Sequence, residues 1–154
     1  MNIKIERATL DDIDPLINVQ NQSFYGDYIR YGECPGFNHS SETMASIILN
    51  RIVYKIMLDD QIVGDFIVRD NYDNTYYLGG LCIIPECENR GIGQKAIKFV
   101  ESEFPNATLF TLETPLDKTR NHYIYKKLGY SIAHEYRAGS IKLVLFQKRL
   151  SEAK

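Results

Sequence analysis

Leu81-Cys82-Ile83-Ile84-Pro85-Glu86-Cys87-Glu88-Asn89-Arg90-Gly91-Ile92-Gly93-Gln94-Lys95-Ala96-Ile97-Lys98-Phe99-Val100 passes from an apolar strand through a glycine-containing turn into an amphipathic helix. Leu81, Cys82, Ile83 and Ile84 make the strand end and Pro85 stops the ladder. Ile92, Ala96, Ile97, Val100 and Phe104 then recur at helical spacing. Gly91 and Gly93 allow backbone angles and close approaches denied to other residues, so successive N–H groups can converge on one negative group. The N-terminus of the helix adds roughly half an elementary positive charge. The stretch predicts a site for a phosphate or pyrophosphate.

Paired glycines before a helix occur in several loops. A P-loop requires Lys-Ser or Lys-Thr directly after the last glycine, and Gln94-Lys95-Ala96 stands here instead. The dinucleotide fingerprint is closer: Gly91-Ile92-Gly93-Gln94-Lys95-Ala96 reads G-x-G-x-x-A, with Glu113 about twenty residues on. That fingerprint puts its first glycine immediately after the strand, however, and Pro85 to Arg90 intervene here. A third pattern covers more of the chain. Glu88-Asn89-Arg90-Gly91-Ile92-Gly93, preceded by Leu81 to Glu86 and followed by Tyr125-Lys126-Lys127-Leu128-Gly129-Tyr130, resembles the GNAT superfamily of acyl-CoA-dependent N-acetyltransferases. The first block resembles the superfamily's Q/R-x-x-G-x-G/A pyrophosphate motif, with Glu88 where Gln or Arg is usual. The second resembles the Y-x-K-L-G-F/Y segment of its fourth helix.

The resemblance implies an α/β (α+β) fold with a central mixed, mostly antiparallel seven-stranded sheet. About four helices would flank that sheet, with a splay between the fourth and fifth strands. It further implies acetyl-CoA as co-substrate and direct acetyl transfer to a primary amine. A non-catalytic acyl-CoA-binding or sensing domain of the same fold is the alternative. By the same resemblance, the amides of Glu88, Asn89, Arg90, Gly91, Ile92, Gly93 and Gln94 would bind pyrophosphate. The backbone of Leu81, Cys82 and Ile83 would pair with the pantetheine arm. Asn121, four residues before Tyr125 on the same helical face, is expected either to reach that arm or to cap the helix.

The chain has 154 residues, 44% hydrophobic and 25% charged, with a net charge of −2. This composition predicts one domain over residues 1–154 with one sizeable core. The charge gives no basic footprint for nucleic acid. No apolar run is long enough for a membrane span and no signal-peptide pattern opens the chain, which predicts a cytoplasmic protein. Cys34, Cys82 and Cys87 are odd in number and lack C-x-x-C spacing, while His39, His122 and His134 are scattered, so reduced thiols and no metal are expected. The expected partner is a small-molecule or peptide amine; the state is monomer or homodimer.

Ile3 to Arg7 alternates as a first strand, and Thr9 with Asp12 forms a capping box before Leu10, Ile13, Leu16 and Ile17. Ser23 to Ser40, rich in Gly and aromatics, is expected as a mobile connection or short helical turn. Ser41 caps a second helix carrying Met44, Ile47 and Ile48. Val53–Leu58, Ile62–Arg69 and Thr75–Ile84 predict an antiparallel meander, with Gly79-Gly80 marking a bulge or a close backbone approach. After the third helix, Thr108–Leu112 predicts a strand parallel to the fourth. Asn121–Leu128 then predicts a short helix closed by Gly129, and a terminal hairpin follows.

By the resemblance, Tyr125 supplies the proton, or a hydrogen bond, to the departing thiolate; the competing expectation is core packing. Glu113, at a strand end, is the leading carboxylate to relay the amine proton, ahead of Asp65 and Glu86, against a plain solvated charge. Tyr28 and Tyr31, in the segment between the first two helices, are expected to line the acceptor pocket, with Asp27 and Glu33 near a cationic amine. The competing expectation is that these aromatics pack the segment onto the sheet.

Overall fold

The computed structural model describes residues 2–150, so the outermost ends of the expected 1–154 domain lie outside the described residues. β1 (Ile3–Arg7) leads through a 3-10 turn at Leu10–Asp12 into α1 (Ile13–Tyr31), followed by α2 (Ser41–Asn50). The Thr9 amide donates to the Asp12 carboxylate at 2.8 Å, and Lys55 Nζ on the neighbouring strand reaches the same group at 3.1 Å. The expected capping box therefore also anchors α1 to the sheet. The Ser40 hydroxyl caps α2, accepting from the Thr43 amide at 3.1 Å, one residue before the expected cap.

β2 (Ile52–Leu58), β3 (Gln61–Asp70) and β4 (Thr75–Ile83) form the predicted meander, with β1 on the edge of β2. α3 (Ile92–Glu103) crosses over to β5 (Leu109–Pro115), and α4 (Thr119–Lys127) precedes the hairpin of β6 (Ser131–Ala138) and β7 (Ile141–Arg149). The order across the seven-stranded sheet is β1-β2-β3-β4-β5-β7-β6, and β4–β5 is its one parallel neighbour pair. The α3 crossover is what permits that pairing.

The apolar stripe of α3, Ile92, Ala96, Ile97 and Val100, is buried in one core with Phe66, Phe110 and Phe146. α1 and α2 bring Leu16, Met44 and Ile48 onto Val53 in a second core. Each large side chain so buried contributes about 1.5–3 kcal/mol relative to exposure, so the helix layers are fixed mainly by these stripes.

Two irregularities position the site. Asp65 pairs with Cys82 and Ile67 with Gly79, so one β3 residue faces two on β4; the extra residue falls at Gly80 and Leu81. Gly80 takes φ 62, the left-handed conformation glycine accepts at such a bulge. Beside it, the β4–β5 ladder runs from Thr75↔Leu109 only to Leu78↔Leu112, while β4 continues to Ile83 and β5 to Pro115. The splay implied by the resemblance is thus present, with the bulge at its start.

The first helix differs from expectation. Ser23 to Tyr31, expected as a mobile connection, is the second half of α1, which ends at Gly32 with φ 76. One interior glycine, Gly26, costs only about 1 kcal/mol. Tertiary ties outweigh it: Asp27 pairs with Lys118 at 2.7 Å, and Arg30 and Tyr31 both bond Asp117 at 2.7 Å.

Candidate active site

Two cavities meet at the splay. A cleft of about 460 Å³ runs between the end of β4, the N-terminus of α3 and α4. A larger cavity, about 940 Å³, lies over the α1 side of the sheet, between the α1–α2 connection, β4, β5 and the β6–β7 turn. Phe24 and Asp27 of α1 line both.

The first intrahelical bond of α3 runs from the Lys95 amide to the Gly91 carbonyl at 3.1 Å. The amides of Ile92, Gly93 and Gln94 therefore have no acceptor within the helix. Asn89 (φ 65) and Gly91 (φ 78) are left-handed, the alternation that turns successive N–H groups toward one concavity. No acidic residue occupies the first turn of α3. Lys118 and Arg120 line the same cleft, so its donor set fits a pyrophosphate. A Cβ on Gly93 would stand 3.7 Å from the Ile83 Cδ1 and 3.9 Å from the Leu81 Cδ2, ordinary contacts, so the fold accepts a side chain there. The open space belongs to the cleft.

Leu81, Cys82, Ile83, Glu88, Asn89, Gly91, Ile92, Gly93, Gln94 and Asn121 all line this cleft; Arg90 is exposed and outside it. The Glu88 amide is already donated to the Pro85 carbonyl at 3.2 Å. Asn121 Nδ2 donates to Thr114 Oγ1 at 3.0 Å, which fixes its amide beside β5.

Tyr125 lines the cleft from α4, its ring edge-on to Phe146 with centroids 5.4 Å apart. Burial pushes its phenol up to about 12, so the hydroxyl keeps its proton at neutral pH. Packing and a cleft-facing role coexist in this one residue.

The remaining expected site residues divide differently. Glu113 and Tyr31 line the larger cavity. Glu113 accepts from the Tyr77 hydroxyl at 2.6 Å on Oε1 and from the Tyr136 hydroxyl on Oε2. Tyr31 donates to Asp117; burial and that carboxylate raise its phenol well above the usual range. Tyr28 stacks on Phe37 at 4.7 Å, is 42% exposed and lines neither cavity. Asp27, expected as a free carboxylate for an amine, is paired with Lys118.

Phe24, Lys118 and Arg120 escaped the sequence reading. Arg120 opens α4 one residue before Asn121, and a cation there is the only signal that points to it.

Asp65 is 1% exposed and held by Gln20 Nε2 at 2.7 Å and Cys82 Sγ at 3.1 Å. Burial pushes its carboxyl up to about 7 against those two hydrogen bonds. Burial and then the Asp65 charge raise the Cys82 thiol, so the thiolate needed of a nucleophile is disfavoured. Among the described residues, no group of three His, Cys, Asp or Glu side chains is arranged to hold a metal ion, and no helix is long and apolar enough to cross a membrane.

The fold recurs in known proteins. The chain matches the Acetyltransferase (GNAT) family over residues 16–130. It is 33% identical over 87 residues to the uncharacterized protein YrkN of Bacillus subtilis strain 168, a match covering 55% of this chain and 47% of that relative, about half its length. The ribosomal-protein-S18-alanine N-acetyltransferase of Escherichia coli superposes with a TM-score of 0.80 at 15% identity, over 99% of this chain and 97% of that one. The PaiA N-acetyltransferase of Thermoplasma acidophilum, solved in complex with coenzyme A, gives 0.80 at 18% identity over 97% and 100%. At such identities the structural likeness shows the fold. The match over residues 16–130 shows the family: this chain belongs to the GNAT acetyltransferases.

Proposed function

We propose that this protein transfers an acetyl group from acetyl-CoA directly to a primary amine of a small molecule or peptide N-terminus. One observation carries the reading: the parting of β4 and β5 leads from the free α3 amides past Tyr125 and opens, at Phe24 and Asp27, into the second cavity. A ligand too long for one cavity and a second reactant can thus meet at the shared wall. The family membership and the coenzyme A complex of the PaiA enzyme support this assignment.

Acetyl-CoA supplies a thioester carbonyl as the electrophile. The amides of Ile92, Gly93 and Gln94, with Arg120, hold the pyrophosphate, and the unpaired edge of Leu81–Ile83 aligns the arm. Tyr125 keeps its proton and offers it as a hydrogen bond to charge developing on the departing sulfur. An amine near pKa ~8 costs only about 1 kcal/mol to deprotonate at pH 7 and one near ~10.4 nearly 5, so basic acceptors should react faster as pH rises.

Purified protein mixed with acetyl-CoA and a panel of primary amines is expected to release CoA thiol over many turnovers only when an amine is present. Binding of acetyl-CoA with no amine-dependent release would assign a sensing role instead. Gly93→Val is expected to weaken acetyl-CoA at least about tenfold by calorimetry while the melting curve holds. Its branched methyls would enter the cleft, and about 1.4 kcal/mol of lost phosphate contact suffices for that factor. Unchanged affinity in the folded variant would remove the cradle assignment.

A further inference from the structure

The larger cavity carries a charge arrangement that acetyl transfer alone does not require. Glu113 rises from β5 with both carboxylate oxygens occupied by phenol donors, Tyr77 on one and Tyr136 on the other. The two hydroxyl donors fix the plane of the Glu113 carboxylate, and Glu113 raises the Tyr77 phenol further after burial has done so. Among the described residues, neither Glu113 nor Glu33 at the rim forms a salt bridge with a lysine or arginine. Glu33 faces the Gly139–Ser140 turn and accepts the Ser140 amide at 3.4 Å.

The cavity is lined by four carboxylates, Asp27, Glu33, Asp70 and Glu113, against two guanidinium groups, Arg51 and Arg69. Asp27 is matched by Lys118 from the neighbouring cleft, and Arg69 lies over the Tyr77 ring, 4.7 Å from its centroid. Glu33, Asp70 and Glu113 then face Arg51 and Arg69, an excess of one negative charge, and the other walls are aromatic and aliphatic: Phe24, Tyr31, Ile141 and Leu143. At about 30 Å³ per water molecule, its volume far exceeds that of a lone amine.

Position separates the two jobs a carboxylate could have. The wall shared with the cofactor cleft is Phe24 and Asp27 on α1, whereas Glu113 lines only the larger cavity. We propose, building on the acyl-transfer reading above, that the acceptor is a small aliphatic diamine. Its reacting amine sits at the Phe24–Asp27 wall, its methylene stem lies along the tyrosines and leucine, and its second ammonium is held by Glu113. Glu113 is then a specificity-determining residue and not the group that takes the proton. A carboxylate in place of the second ammonium, at the far end of the stem, would face the Glu113 charge and be repelled.

The test compares 1,4-diaminobutane, butylamine and 4-aminobutanoate, which share a stem and differ only at the far end. The expected order of kcat/KM is diamine first, by roughly tenfold to a hundredfold over butylamine, the range for one charged hydrogen bond, with 4-aminobutanoate last. Glu113→Gln is expected to bring the diamine-to-butylamine ratio close to unity through KM. Calorimetry of the three amines on the CoA-saturated protein reads the same site without turnover: the diamine should bind at least about tenfold more tightly than butylamine. That preference without acetylation would uphold the site while refuting the acyl-transfer reading. Diamine and butylamine within threefold of each other, or an equal fall in kcat for both in Glu113→Gln, would overturn the proposal. The panel on the unsubstituted protein decides alone if that variant does not fold.

Discussion

Tyr125→Phe is expected to lower acetyl-CoA turnover by roughly a hundred- to a thousand-fold, the range for losing one hydrogen-bond donor to developing charge, with little change in acetyl-CoA affinity. The ring stays: its edge-on contact with Phe146 involves carbon atoms alone, so packing and melting temperature should hold. What leaves is a phenol that burial pushes up to about 12. A thiol near pKa ~8.5 is more acidic by over three units, so complete transfer of that proton to the thiolate is uphill by about 5 kcal/mol. Tyr125 therefore serves by donating a hydrogen bond in the transition state, and its loss should appear in kcat rather than in binding. The same value fixes the pH profile. With a basic amine as acceptor, kcat/KM should climb to about pH 10 without a descending limb, because a phenol raised to about 12 is still protonated there. A descending limb near pH ~10 that vanishes in Tyr125→Phe would mean that the phenol titrates normally and is not buried as described.

Asp65→Asn is expected to stabilise the protein at pH 8 and to do far less at pH 4. The folded carboxyl is raised to about 7 by burial, while the unfolded one titrates near ~3.9. Between those values the folded state binds more protons than the unfolded state, so stability falls as pH rises. The group's contribution is intact below pH ~4, falls away from there to pH ~7, and amounts to about 4 kcal/mol in all. An asparagine carries no charge to bury and still accepts from Cys82. Protonation has a further place to go: Gln20 Oε1 is buried without a partner, and rotation of that amide would let it accept from the neutral acid. Denaturant titrations of both proteins at pH 4, 6 and 8 would show the difference widening upward. A constant difference across the three would mean that Asp65 is ionised throughout.

The cradle between β4 and α3 is legible in the chain because two periodicities, alternating then helical, meet at residues that only a turn can use. The parallel pairing of β4 with β5 follows from the helix between them. The second half of α1 is not legible: Gly26 and a run of aromatics resemble a loop, and the residues that hold it helical, Asp117 and Lys118, lie 86 to 91 positions away in sequence. Tyr28 and Tyr31 look alike in the chain, yet only Tyr31 lines the cavity: three positions turn a helical side chain by about 60°, and Tyr28 stacks on Phe37 instead. Glu113 was visible as a strand-end carboxylate. Which cavity it enters depends on alternation along β5, where Leu112 and Thr114 are buried on one side and Glu113 turns to the other, beside Tyr77. The placement of Arg120 in the cleft needs the loop after β5 to fold back, which no local pattern encodes.

The shortness of the β4–β5 ladder has a mechanical meaning. Two blocks of sheet, β1 to β4 and β5 to β7, share only the rungs from Thr75↔Leu109 to Leu78↔Leu112, whereas β3–β4 and β5–β7 are paired along most of their lengths. Opening free energies follow the local density of such rungs. The seam is therefore the softest line across the sheet, a hinge between its two blocks. An extended molecule seated at its open end would act as a borrowed strand, stiffening the hinge on arrival and restoring its play on departure.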